Sequence, residues 1–355
     1  MGIFGYDRQQ LEKRIGHSSQ LGGLKAYTLT EGRAAGVRAV DFRTTRGLEF
    51  TVLLDRGMDI SEARYKGLSL CYRCPSGDVA PSHYDRRGIE WLWTFFGGLL
   101  TTCGLTQVGS PNVDGGEELG LHGRVSAAPA ERVCLTESWE KEQLQLEVTG
   151  TIRESRLFGP NLEMHRSIVA RGDSAGLRLR DRIANMGSRP TPVMVLYHIN
   201  TGFPLLDDRS DLVIPSLGAE PRDAEAEKGK EQWAEMHAPV AGYAEKVYFH
   251  RMRAGADGMV TCAVINRRLG DGIGLRLRYR LAELPFFTEW KMLGDREYVL
   301  GVEPGNCRPI GRAATRAAGE LVELAVGAAL ETGFELDVVE GEAALDELSR
   351  EVAGG

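Results

Sequence analysis

Two segments of this chain alternate so strictly that a strand is the only regular element that fits them. In the first, Leu177, Leu179, Asp181 and Ile183 fall on one side, while Arg178, Arg180 and Arg182 fall on the other. In the second, Leu275, Leu277, Tyr279 and Leu281 alternate with Arg276, Arg278 and Arg280. Successive side chains on a strand point to opposite faces, so each segment is a half-buried antiparallel strand with one wet, basic face. Such stripes suit an anion as well as water, solvated arginine being the usual case.

Further strands are expected at 25–30, 36–42, 48–54, 145–153, 161–171, 191–199, 247–253, 259–267, 285–291, 298–303 and 334–340, most of them separated by Gly, Asp, Asn or Pro. Helical spacing is confined to a weak pattern near 86–97 and a C-terminal one over about 342–352, where Glu342, Ala343, Leu345 and Leu348 recur. Strands in series with hardly a helix between them exclude a βαβ alternation and give an all-β chain, a large sandwich. No composition shift or repeat breaks the pattern, so residues 1–355 are expected to form one domain, with about 1–35 and 310–355 as packing extensions. The charged tract from Gly218 to Glu235 is expected to be an exposed loop or short helix.

A net charge of -7 argues against a partner that is a nucleic acid, whose binding rests on clustered positive charge. No run of about 18 apolar residues suggests a membrane span, and the start of the chain lacks a secretory pattern, so a cytoplasmic location is expected. Six cysteines in 355 residues fit a reducing compartment. Cys71-Tyr72-Arg73-Cys74 lacks the second ligand pair of a zinc site and the βαβ setting of a redox motif, and is taken as two ordinary thiols.

P-loop, Gly-x-Ser-x-Gly and His-Glu-x-x-His signatures are absent. Three residues draw interest through their settings. His122 lies between glycines in Gly120-Leu121-His122-Gly123-Arg124, where the backbone can turn tightly. His198 ends the apolar run Pro192–Ile199, and Glu303 ends Val299–Val302 just before Pro304, which holds it extended. Singly, each histidine suits a hydrogen-bonded structural role, and a strand-end carboxylate equally caps a turn.

Together the motifs carry a resemblance. Asp55-Arg56-Gly57-Met58-Asp59-Ile60, Gly120–Arg124, Tyr197-His198-Ile199-Asn200-Thr201-Gly202, Glu289-Trp290-Lys291 and Glu303-Pro304-Gly305-Asn306 occur in this order. The set resembles the aldose 1-epimerases, or galactose mutarotase-like proteins, and among them a divergent bacterial branch. The resemblance implies an antiparallel β super-sandwich with a sugar cleft on one face, no cofactor or metal, and a small-molecule sugar as partner. It further implies that Glu303 takes the anomeric hydroxyl proton, His198 protonates the ring oxygen, and His122 hydrogen-bonds the sugar. Arg56, Arg124, Lys291, Asn200 and Asn306 are the expected substrate-binding residues. The chain departs from the family where Arg124 follows Gly123 in place of a second glycine, and where Phe249-His250 replaces an Asp-His pair. Arg56, Arg124 and Lys291 suit either the hydroxyls of a free aldose or the charge of an acidic or phosphorylated sugar, so the expected reaction interconverts the anomers of one or the other. A non-catalytic sugar binder or sensor, and a related epimerase or lyase using the same cleft, remain the alternatives; a homodimer is possible.

Overall fold

A computed structural model describes residues 3–354 of the chain. Its architecture is two large sheets, one of twelve strands and one of eight, whose paired strands are all antiparallel. The five strands that matter most for function lie side by side in the larger sheet, in the order Leu100–Leu105, Thr191–Gly202, Glu297–Gly305, Phe286–Gly294 and Lys246–Met252. All-β architecture and the sandwich thus agree with the sequence pattern, and the C-terminal helix, Glu342–Gly354, packs Leu345, Leu348 and Val352 onto Ala263 and Ile265 of the smaller sheet.

The apolar character of Thr191–Gly202 has a simple cause. Val193, Val195, Tyr197 and Ile199 point into the core between the sheets, whereas Met194, Leu196 and His198 point away, under a second layer made by the turns around Trp91 and Phe95. A strand covered on both faces has no polar side to show, so alternation vanishes from its sequence. Between the sheets, Arg166 is fully buried and gives its donors to Asp59 at 2.9 Å, Asp181 at 2.7 Å, Thr102 and the Gly57 carbonyl. Burial nonetheless pushes the Asp59 carboxyl up to about 6.

On the outer face of the smaller sheet the two arginine stripes flank the strand Ala329–Glu340, and that strand supplies their partners. Arg178 and Arg278 both face Glu335 across neighbouring strands, and Arg276 faces Asp337. The stripes are therefore part of a solvated charge ladder.

One expectation changes, one is refined, and three strands are added. The helical pattern near 86–97 closes only as a five-residue 3₁₀ turn, Glu90–Thr94, which keeps Trp91 and Thr94 inside. The tract 218–235 is built of the strand Ser216–Pro221 and the short helices Ala224–Glu227 and Lys230–Gln232. Strands at Asp59–Tyr65, Leu100–Leu105 and Ala130–Glu140 had no sequence expectation. Cys71 is buried beside the Ser61 carbonyl with its thiol pushed up to about 11 by burial, and no disulfide joins it to Cys74. Among the described residues no helix is long and apolar enough to cross a membrane.

Candidate functional site

Strand register assembles the site. His198 pairs with Thr101 on one side; on the other, the pairs Leu196↔Gly305 and Ile199↔Val302 set His198 opposite Glu303. Glu303 pairs in turn with Thr288, and Thr288 with Phe249. One row of side chains thus runs across five strands on the outer face of the larger sheet, with the imidazole and the carboxylate adjacent at its centre.

His198 Nε2 lies 3.2 Å from Glu303 Oε1, and both side chains are almost wholly buried. The contact is close but not aligned as a hydrogen bond, so Oε1 keeps no partner, nor do Nδ1 of His198 and Nδ1 of His122. Gly301 makes room for this arrangement: the Glu303 carboxylate folds back over it, and a Cβ there would overlap Glu303 Oε1 and touch Trp290 Cβ at 3.0 Å.

His122 comes from a turn, not a strand. Its φ is 56°, in the left-handed region, and Gly123 follows at 75° with the Gly104 and Gln107 carbonyls packed where a side chain would go. The amide of His122 donates to the Gly109 carbonyl and its own carbonyl accepts from Gly104, fixing the turn beside the strand Leu100–Leu105. The ring lies tilted against Trp91, with centroids 4.8 Å apart, and meets the His198 ring edge-on at 5.8 Å. Phe95 at 5.5 Å and Trp290 at 5.2 Å enclose His198 on its remaining sides.

Burial dominates the electrostatics. It pushes the Glu303 carboxyl well above its usual range, with the negative charge of Glu245 adding to the effect. It lowers His198 to about 4 and, with His198 and Arg222 nearby, His122 to about 3. With both groups buried, the pair His198–Glu303 therefore holds one proton on the carboxyl in preference to standing as an ion pair.

These groups line a cleft of about 480 Å³, within the range of small-ligand sites. Two of its residues lie in stretches of sequence without a pattern that marks them. Arg222, just past the strand Ser216–Pro221, pairs with Asp223 and Glu245 at 2.8 Å each. Glu245 also accepts from the Trp290 indole at 2.7 Å, which holds that ring beside His198. A larger cavity of about 670 Å³ lies behind the His122 turn, lined by Arg86, Arg87, Arg124 and Arg156 together with Glu117. Size favours it, but it contains no acid and base poised together, so the smaller cleft is the candidate site.

Five of the eight expected site residues lie elsewhere. Arg56 is buried and spends its guanidinium on the carbonyls of Ser126, Val79 and Thr94. Lys291 is one residue out of phase with Trp290, so it points to the opposite face, where its ammonium caps the carbonyls of Gln232, Trp233 and Glu235. Asn200 donates to the carbonyls of Gly97, Gly98 and His198. Asn306 ties the edge of Thr191–Gly202 through Val195 N and Val193 O. Arg124 pairs with Glu154 and Glu117 in the neighbouring cavity. The expected cluster of Arg56, Arg124 and Lys291 around a sugar does not form, because each cation is already committed to backbone carbonyls or carboxylates. His250, from the departure noted above, is also turned away, between Ser216 and Glu289. Among the described residues no group of three His, Cys, Asp or Glu side chains is arranged to hold a metal ion.

No curated protein matches the chain. Among solved structures, a candidate aldose 1-epimerase from Klebsiella pneumoniae superposes with a TM-score of 0.88 at 22% identity, over 95% of this chain and 90% of that one. A galactose mutarotase-like protein from Clostridium acetobutylicum gives 0.58 at 12% identity, over 89% and 98% of the two chains. Galactose 1-epimerase from Lactobacillus acidophilus gives 0.56 at 12% identity, over 90% and 100%. At these identities the likeness is one of fold. A family model described as a domain of unknown function, DUF4432, matches residues 34–338. The chain therefore belongs to the DUF4432 family, and its fold is the galactose mutarotase-like β-sandwich.

Proposed function

We propose that the protein is a carbohydrate epimerase acting at the anomeric centre of a free aldose, with Glu303 and His198 as its acid–base pair. The observation that carries this reading is the 3.2 Å approach of His198 Nε2 to Glu303 Oε1 inside one buried cleft. Opening a pyranose needs one proton removed from the anomeric hydroxyl and one delivered to the ring oxygen, and no other chemistry. A pair that together holds a single proton can do both. With the proton on His198, Glu303 takes the hydroxyl proton while the imidazolium protonates the ring oxygen. Rotation of the aldehyde and reclosure with the roles reversed gives the other anomer. Burial favours the proton on Glu303, and bringing it to His198 requires transfer across the gap between the two groups. In this reading His122, kept neutral by burial, donates a hydrogen bond to the ring oxygen as charge develops there.

The cleft also supports a neutral sugar over an acidic one. Its one full cation, Arg222, is already balanced by Asp223 and Glu245. The test is polarimetry on freshly dissolved α-anomers of neutral aldoses, uronic acids and sugar phosphates. Acceleration of a neutral sugar, lost in Glu303→Gln, is the expected result; no acceleration across the panel overturns the proposal.

A further inference from the structure

The row of side chains that carries His198 and Glu303 does not end where the cleft does. Thr288 lines the cleft, and the row runs one strand further, to Phe249, where a second cavity of about 430 Å³ opens. Two segments join this cavity to the cleft. On Lys246–Met252, Val247 lines the cleft and Phe249, two residues on and so on the same face, lines the cavity. Beyond Glu297–Gly305, Pro309 lines the cleft and Arg308 the cavity. Phe286, two residues from Thr288, supplies a second ring. Phe249 stands two strand spacings, about 10 Å, from Glu303, which is room for one further sugar unit beside the one in the cleft.

The two spaces differ in charge. In the cleft, Arg222 is held by two carboxylates at 2.8 Å. In the neighbouring cavity the Arg308 guanidinium lies over Phe249 and Phe286, 5.6 and 5.7 Å from their ring centroids, and among the described residues its donors have no hydrogen-bond partner. Its nearest carboxylates, Glu220 at 3.7 Å and Glu320 at 3.8 Å, stand beyond hydrogen-bond reach, and Glu220 is itself 66% exposed and able to turn into water. Arg251, on the same face as Phe249, makes a single 3.4 Å contact to the Leu217 carbonyl. The two rings hold the Arg308 guanidinium in place, so little freedom is lost when its donors are used. A carboxylate meets such a fork in two parallel bonds, and a ligand's apolar face packs on the half-buried rings beside it.

From this we infer that the substrate is the reducing end of an acidic oligosaccharide: a neutral aldose occupies the cleft, and the uronic acid unit linked to it occupies the neighbouring cavity with its carboxylate on Arg308. The inference rests on the anomeric-centre reading above, since that reading fixes which unit lies in the cleft. Saturation-transfer NMR between anomers tests it on matched sets: an accepted aldose, and the glucosyl and glucuronosyl disaccharides that carry this aldose at the reducing end, linked through each of its hydroxyls in turn. The expected result is a kcat/KM at least about tenfold higher for a glucuronosyl disaccharide than for its glucosyl partner in one linkage, a ratio that falls toward one in Arg308→Gln. Taking the ratio within each variant removes any general loss of activity, and thermal melts confirm the fold. Equal rates within every pair, exchange confined to the free aldose, or a ratio that survives Arg308→Gln overturns the second subsite and leaves the anomeric chemistry standing. Absence of exchange with every sugar overturns both.

Discussion

Gly301 offers the sharpest separation of site from scaffold. The residue lies in the middle of Glu297–Gly305, opposite Asn200 on one side and Trp290 on the other, and its backbone does not need left-handed φ. Gly301→Ala is therefore compatible with the strand and even lowers the entropy of the unfolded chain, by about 0.5–1 kcal/mol. Its Cβ, however, falls on Glu303 Oε1 and within 3.0 Å of Trp290 Cβ. The carboxylate is the far end of a mobile side chain and gives way, while the Trp290 contact costs about 1–2 kcal/mol of packing. Net stability should change by no more than about 1.5 kcal/mol. Restoring an ordinary contact moves the carboxylate by about 1 Å, and displacements of that size cost about 100-fold in rate. Urea unfolding and anomer-exchange kinetics on the same preparation measure the two effects together. A variant that keeps more than half of wild-type kcat/KM, with its fold intact, would refute the assignment of Glu303 as the base.

Other outcomes follow from the same geometry. Glu303→Gln and His198→Asn should each lower kcat by about 10²–10⁴, and the double variant should be little worse than the weaker single, because the two groups act as one unit; additive losses would separate them. His122, ordinarily near 6.5 and lowered to about 3 by burial, contributes stability above pH 6.5 that is lost as pH falls toward 3. Between pH 7 and 4 the wild type should thus lose on the order of 3 kcal/mol more in urea unfolding than His122→Asn, and parallel profiles would contradict the buried, neutral imidazole. Lys291→Met should cost about 2–4 kcal/mol and speed hydrogen exchange around Gln232–Glu235, while leaving the ratio of neutral to acidic sugar rates unchanged; a change in that ratio would return Lys291 to the cleft.

Much of the architecture was legible because half-buried strands declare themselves. The stripes at 177–183 and 275–281 alternate since one face meets water, and Leu345 and Leu348 mark the terminal helix since its other side is solvated. His198 and Glu303 were legible for a different reason: each is a polar residue that breaks an apolar run, although the strands themselves continue past them to Gly202 and Gly305. Their being neighbours was not, because opposition follows from a pairing across about a hundred residues that no local pattern encodes. The same two-sided burial hid which face Lys291 occupies, so Trp290 took the cleft and Lys291 the interior. Arg222 lay inside a charged tract that reads as loop, and Glu245 just beyond it in a stretch without pattern. Only the strands on either side, Ser216–Pro221 and Lys246–Met252, bring the two together at the cleft.

The central claim is that Glu303 and His198 exchange protons with the two oxygens of a hemiacetal and with nothing else. Two-dimensional exchange NMR in D₂O on an accepted sugar reads this directly. Cross-peaks between the α and β anomeric protons should appear with the wild type and vanish in Glu303→Gln, with no deuterium entering any carbon. Loss of a carbon-bound proton signal during exchange, or cross-peaks that survive in Glu303→Gln, would contradict it.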